Sequence, residues 1–155
     1  MNILAIESSC DETAAAVVRD GRTVLSNCVA SQIEMHTIYG GVVPEIASRK
    51  HVEAVTGLAD QAVEQAGLTK GELDAVAVGK GPGSYTGLRI GVSFAKGLCY
   101  GLQKPLVAVG SLDALAEVAR EDYEAGILAV DDWSNALLCP MVDARRMEVY
   151  AQVFD

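Results

Sequence analysis

The feature that most constrains the fold is Gly79-Lys80-Gly81-Pro82-Gly83-Ser84-Tyr85-Thr86-Gly87, set between an apolar run, Leu73 to Val78, and a long apolar segment, Leu88 to Leu102. A strand enters this turn and a helix leaves it. Glycines permit positive φ and close approach to the backbone, while Pro82 stiffens the turn and restricts Gly81 before it. Ser84 or Thr86 is placed to cap the helix. Two readings stand side by side. In one, the N-H groups around Gly81, Gly83, Ser84, Thr86 and Gly87 seat a phosphate or carboxylate at the helix start. In the other, the glycines serve packing alone. A P-loop is excluded because the motif closes on Thr86-Gly87 instead of Gly-Lys-Ser/Thr. A dinucleotide fingerprint is excluded because Thr86 stands where its third glycine belongs and Gln103 stands near its acid.

A chain of 155 residues, half of them apolar, suffices for one domain with a proper core. Its formal net charge of -9 argues against nucleic acid or an anionic membrane as a direct ligand. Cys10, Cys28, Cys99 and Cys139 lie far apart in sequence and read as buried thiols in a reducing compartment, not as a zinc or redox set. The start runs straight into Glu7 without a basic leader, and no apolar stretch is long enough to span a bilayer, so the expectation is a cytoplasmic protein.

Along the chain, Ile3 to Ile6, Ala14 to Val18 and Val24 to Ala30 read as three antiparallel strands, the last two joined at Asp20-Gly21. From Pro44 to Ala66 the period is helical, with Val52, Val55, Ala59, Ala62, Val63 and Ala66 on one stripe and Gly67 as the C-cap. Gly57 lies within this helix and, with Ala47 and Ala54, either admits another helix closely or is neutral at the surface. The second helix, from Thr86 to Leu102, has almost no polar face, which predicts burial on more than one side, by the first helix or by another chain. Leu106 to Val109 reads as a strand, Ser111 as the N-cap of a helix to about Arg120, Ile127 to Val130 as a weak strand or loop, and Leu137 to Val142 with Met147 to Phe154 as a closing hairpin. The pattern is α/β: a mixed sheet with helices packed on it.

The loop from Glu7 to Thr13 carries three acids and three hydroxyls at the end of the first strand. Glu7, Asp11 or Glu12 suits a magnesium-bound phosphate, with Ser9 beside them; the plainer reading is that Asp11, Ser9 and Thr13 satisfy a turn. His36 and His51 fall on different elements and form no metal-binding pair, and His51 reads as lying on a solvated or interfacial helix face. No catalytic triad declares itself.

These motifs resemble a known family, the actin-like ATPase-fold proteins that make threonylcarbamoyl-adenosine in tRNA. Gly79 to Gly91, with Ala95-Lys96-Gly97-Leu98, Pro105-Leu106, Ser111-Leu112 and Asp143 to Tyr150, resembles the dimerisation subunit TsaB, also called YeaZ. Ile6 to Thr13, Tyr39 to Glu45 and Ser48 to His51 look more like the catalytic paralogue TsaD. The resemblance implies an actin-like (RNase H-like) lobe over 1–110, and a connecting helix with the start of a second, truncated lobe over 111–155. It implies a non-catalytic subunit without catalytic or metal-ligating residues, because the catalytic subunit's HxxxH metal pair falls at Ser111 to Leu115, where no histidine stands. The implied partners are a TsaD-like catalytic chain, met through Ala47, Ala54, Gly57 and Phe94, a TsaE-like ATPase, and a second copy when the chain is alone. Contact with tRNA is indirect. ATP or ADP with Mg2+ is expected at the interface of the complex, near Glu7, Ser9, Asp11, Glu12 and the glycine loop, with none held tightly by the isolated chain. The alternative is an ATP-binding, TsaD-like transferase fragment.

Overall fold

A computed structural model describes residues 1–31 and 44–155, with side chains from residue 48 onward in the second stretch. Its elements are β1 (Asn2–Glu7), β2 (Glu12–Arg19), β3 (Thr23–Ser31), α1 (Pro44–Gln65), β4 (Ala75–Gly79), α2 (Tyr85–Leu102), β5 (Leu106–Val109), α3 (Ser111–Glu124), β6 (Met141–Arg145) and β7 (Glu148–Ala151). The main sheet has the order β3-β2-β1-β4-β5. β1, β2 and β3 pair antiparallel, and β4 and β5 join β1 in parallel, as the expected mixed sheet requires.

Local chemistry explains the strand connections. The Arg22 N-H donates to the Arg19 carbonyl at 3.2 Å, and Asp20 and Gly21 between them have φ of 52° and 75°, the two positive values of a type I′ hairpin turn. The register of β2 against β3 shifts between Val17 and Val18. Buried Ser26 serves this bulge: its Oγ accepts from the Val17 N-H at 3.2 Å and donates to the Ala62 carbonyl of α1 at 2.6 Å.

Both long helices cover one face of the sheet. Leu4 and Ile6 pair in register with Val17 and Ala15 on one side and with Val76 and Val78 on the other. All six pack in one core with Val55, Ala59, Ala62 and Val63 of α1 and Ala95 and Cys99 of α2. Each fully buried valine or leucine there contributes roughly 1.5–3 kcal/mol. The helical stripe read for α1 is the observed one, except that Val52 is 57% exposed. Gly67 ends α1 at φ 68°, with its N-H on the Glu64 carbonyl and the Leu68 N-H on the Val63 carbonyl, the paired bonds of a Schellman motif.

Several expectations are corrected. His51 does not lie on a solvated or interfacial face: it is 2% exposed, between α1 and β2. Cys28 and Cys99 are buried, whereas Cys10 and Cys139 are exposed. Helix α2 does carry an exposed polar stripe, Thr86, Arg89, Ser93 and Lys96, while Leu88, Ile90, Val92, Phe94, Leu98 and Leu102 are half-buried on the rest of its surface. Ser111 is the first residue of α3 rather than its cap; Gly110 holds the cap position and the Ser111 N-H goes to the Gly81 carbonyl at 2.9 Å. Of the two readings for residues 127–130, a weak strand or a loop, the loop is observed. The closing hairpin is present as β6 and β7, in a separate two-stranded sheet. His36 and Tyr39 to Val43 lie outside the described residues, as does the side chain of Ala47.

Candidate functional site

The parallel strands β1, β4 and β5 end side by side, and the loops after them meet. Ser8 and Ser9, leaving β1, lie directly on the glycine loop that leaves β4. The Ser9 carbonyl accepts the Ser84 N-H at 2.6 Å, and a Cβ on Gly83 would come within 2.5 Å of that same carbonyl oxygen. Buried Ser8 donates from Oγ to the Gly87 carbonyl at 2.9 Å. A Cβ on Gly87 would collide with the Ser8 carbonyl, and one on Gly91 with the Ser8 Oγ. The Glu7 carboxylate accepts the Ser9 N-H and lies against the Cα of Gly79. The first strand's loop is therefore seated against the backbone of the glycine loop and of the first turns of α2.

Each residue singled out in the sequence has a place relative to this contact. Glu7, Ser9, Gly83, Ser84 and Gly87 come together. Gly81 has φ 92°, which favours glycine, and its Cα faces Leu88. Ser84 is the cap of α2, its Oγ accepting the Gly87 N-H at 3.4 Å. Asp11 is half-buried and Glu12 opens β2 opposite Ser31, in the same turn. Thr86 faces away, into the groove between α1 and α2. Among the described residues no three His, Cys, Asp or Glu side chains gather as a metal-binding group.

That second feature is a groove of about 620 Å³ lined by residues of both helices, among them Val52 and Thr56 of α1 and Tyr85, Arg89 and Phe94 of α2. Tyr85 is 74% exposed, and the Arg89 guanidinium stands 5.4 Å from its ring centre, a cation-π contact at the mouth. Of the expected interface residues, Phe94 lines the groove and Ala54 packs half-buried on the core. Gly57 faces open space: among the described residues, nothing comes within 4 Å of the point a Cβ would occupy. Gly97 and Gly101 on α2 are open in the same way. Sequence reasoning missed Ser8 as the staple and Tyr85 with Arg89 as the groove's rim. The four-residue spacing of Gly83, Gly87 and Gly91 was the available signal for Ser8, because it keeps one helix face bare for a neighbouring backbone.

Comparison with known proteins agrees with this architecture. The YeaZ structure from Pseudomonas aeruginosa superposes with a TM-score of 0.69 at 25% identity, over 99% of this chain and 58% of that one. The tRNA N6-adenosine threonylcarbamoyltransferase of Clostridium perfringens (strain SM101) is 58% identical over 111 residues, 72% of this chain and 33% of that relative. Its counterpart in Syntrophobacter fumaroxidans is 47% identical over 150 residues, 97% of this chain and 42% of that relative. The chain thus spans less than half the length of these curated relatives. The fold is that of an actin-like ATPase lobe, with YeaZ among the similar structures and transferases among the similar sequences. No helix among the described residues is long and apolar enough to cross a membrane. The family model for TsaD, tRNA N6-adenosine threonylcarbamoyltransferase, matches residues 23–155, and the chain belongs to that family.

Proposed function

We propose that this chain is a non-catalytic dimerisation subunit that supports threonylcarbamoyl transfer to an adenosine of tRNA. It pairs through α1 and α2 with a TsaD-like catalytic chain, and with a second copy of itself when that chain is absent. The observation that carries the reading is the open groove between the helices, where Val52 and Tyr85 stand exposed beside Phe94, with Gly57 leaving room for another backbone on the exposed face of α1. An apolar, small-residue surface of this kind gains most from being covered. The chain's acidic charge agrees with tRNA being held by the partner. In this reading residues 1–110 are the pairing lobe, 111–155 begin a second lobe, and ATP or ADP with Mg2+ is completed only in the complex, where a TsaE-like ATPase is a further partner.

Gly57→Arg tests the surface. The substitution points into open space, so the isolated fold and its melting temperature persist, while a docked partner is obstructed. The expected result is a loss of about tenfold or more in affinity for a TsaD-like chain, equivalent to roughly 1.4 kcal/mol. Unchanged affinity would count against the surface. The curated transferases among the relatives favour a second reading, an ATP-binding transferase fragment using Glu7, Ser9, Asp11, Glu12 and the glycine loop. Magnesium-ATP binding by the isolated chain that Asp11→Ala abolishes would establish that reading instead.

A further inference from the structure

The transferases of this family imply a metal ion on the first turn of α3, held by side chains at positions 111 and 115. The residues present do not fit it. Positions four apart do share one helix face, but they carry Ser111 and Leu115, neither of which is an imidazole, thiolate or carboxylate ligand for a transition ion. Among the described residues the buried Ser111 Oγ has no hydrogen-bond partner, and Leu115 is 43% exposed. His51 is engaged elsewhere, its Nδ1 2.7 Å from the Thr13 hydroxyl.

The chain's own charges stand at the place instead. The Asp113 carboxylate lies against the Cα of Gly110, and Lys80, from the glycine loop, brings its Cε to 3.5 Å from the point a Cβ on Gly110 would occupy. The Lys80 backbone is anchored at this point, its N-H donating to the Val109 carbonyl at 2.8 Å. The ends of β4 and β5 therefore bring the Lys80 side chain and that carboxylate to the same side of Gly110, without a direct ion pair between them among the described residues, and negative charge in the helix's first turn is favoured by the helix dipole. A cationic side chain on that side of the loop opposes the binding of a second cation even without a direct contact to the carboxylate. We infer that the first turn of α3 binds no transition metal in this chain, and that Lys80, reaching toward it from the glycine loop, supplies the positive charge there. This inference is independent of the pairing proposed above, since none of these residues lines the groove between α1 and α2.

The test is equilibrium dialysis of the full chain with Co2+, with visible absorption and circular dichroism recorded on the same samples. Wild type and Asp113→Asn are expected to retain the same amount of Co2+. Retention by wild type that Asp113→Asn removes overturns the inference. The double variant Ser111→His, Leu115→His is expected to gain Co2+ affinity by at least about tenfold and to show a ligand-field band. Adding Lys80→Met to it should raise the affinity again. A double variant with native circular dichroism that stays colourless overturns the claim that these two side chains are what the seat lacks. An unchanged affinity on adding Lys80→Met overturns the role given to the lysine.

Discussion

Gly87→Ala isolates the contact on which the site is built. Gly87 is buried in the first turn of α2, and an added methyl would run into the Ser8 carbonyl, a backbone atom that cannot swing aside. Relief requires the loop after β1 to lift, which weakens the Ser8 Oγ bond to the Gly87 carbonyl at 2.9 Å. Forced overpacking costs about 1–3 kcal/mol, and a weakened buried hydrogen bond adds about 1 kcal/mol. Alanine's better helix propensity returns about 1 kcal/mol. The net expectation is a loss of about 2 kcal/mol, which for a domain of this size lowers the melting temperature by roughly 4–8 °C. Gly57→Ala is the matched control in α1, since nothing lies within 4 Å of its Cβ position, and it should gain about 0.5–1 kcal/mol. Thermal and urea unfolding followed by far-ultraviolet circular dichroism measure both. If Gly87→Ala is as stable as wild type, or gains like Gly57→Ala, the loop is not seated against α2 as described.

Other outcomes follow from the same geometry. Ser26→Ala removes the hydroxyl that satisfies the Val17 N-H at the bulge and should cost about 1–3 kcal/mol in urea unfolding, whereas loss of a surface serine would cost little. Thr13→Val takes the 2.7 Å partner from the buried His51 Nδ1 and should cost a similar amount. Four exposed carboxyls are held below their usual range: Asp20 by the N-terminal ammonium, Glu72 by the Thr69 N-H and hydroxyl, Glu117 by Arg120, and Asp132 by Asn135 and Ser134. The folded state then binds fewer protons than the unfolded state, so their stabilisation is present above the ordinary carboxylate range and is lost as pH falls from about 4 downward. Urea midpoints across that window should fall with pH, and less steeply in Asp20→Asn.

The opening strands and the two long helices were legible because each rests on a local pattern. Short runs on either side of Asp20-Gly21 gave β2 and β3, that dipeptide gave their turn, the stripe from Val55 to Ala66 gave α1, and Gly67 gave its end. What was not legible depended on distant neighbours. His51 looks polar in Ser48-Arg49-Lys50-His51, yet the crossing of α1 over β2 places it against Thr13, thirty-eight positions earlier. Ser111 has the identity of a cap, but its N-H is drawn to Gly81 and the helix starts one residue early. The glycine loop allowed both an anion seat and a packing surface, and local sequence cannot choose between them. The observed contacts give Gly83, Gly87 and Gly91 a packing role against Ser8 and Ser9, and the N-H groups of Ser84, Gly87 and Leu88 are bonded within the chain.

The most direct test of the pairing account is sedimentation velocity of the purified chain alone and mixed with a TsaD-like protein, with and without magnesium ATP. The account predicts a homodimer that exchanges into a mixed complex, and a monomer in the Gly57→Arg variant. A wild-type chain that stays monomeric and ignores the TsaD-like protein under every condition would contradict it.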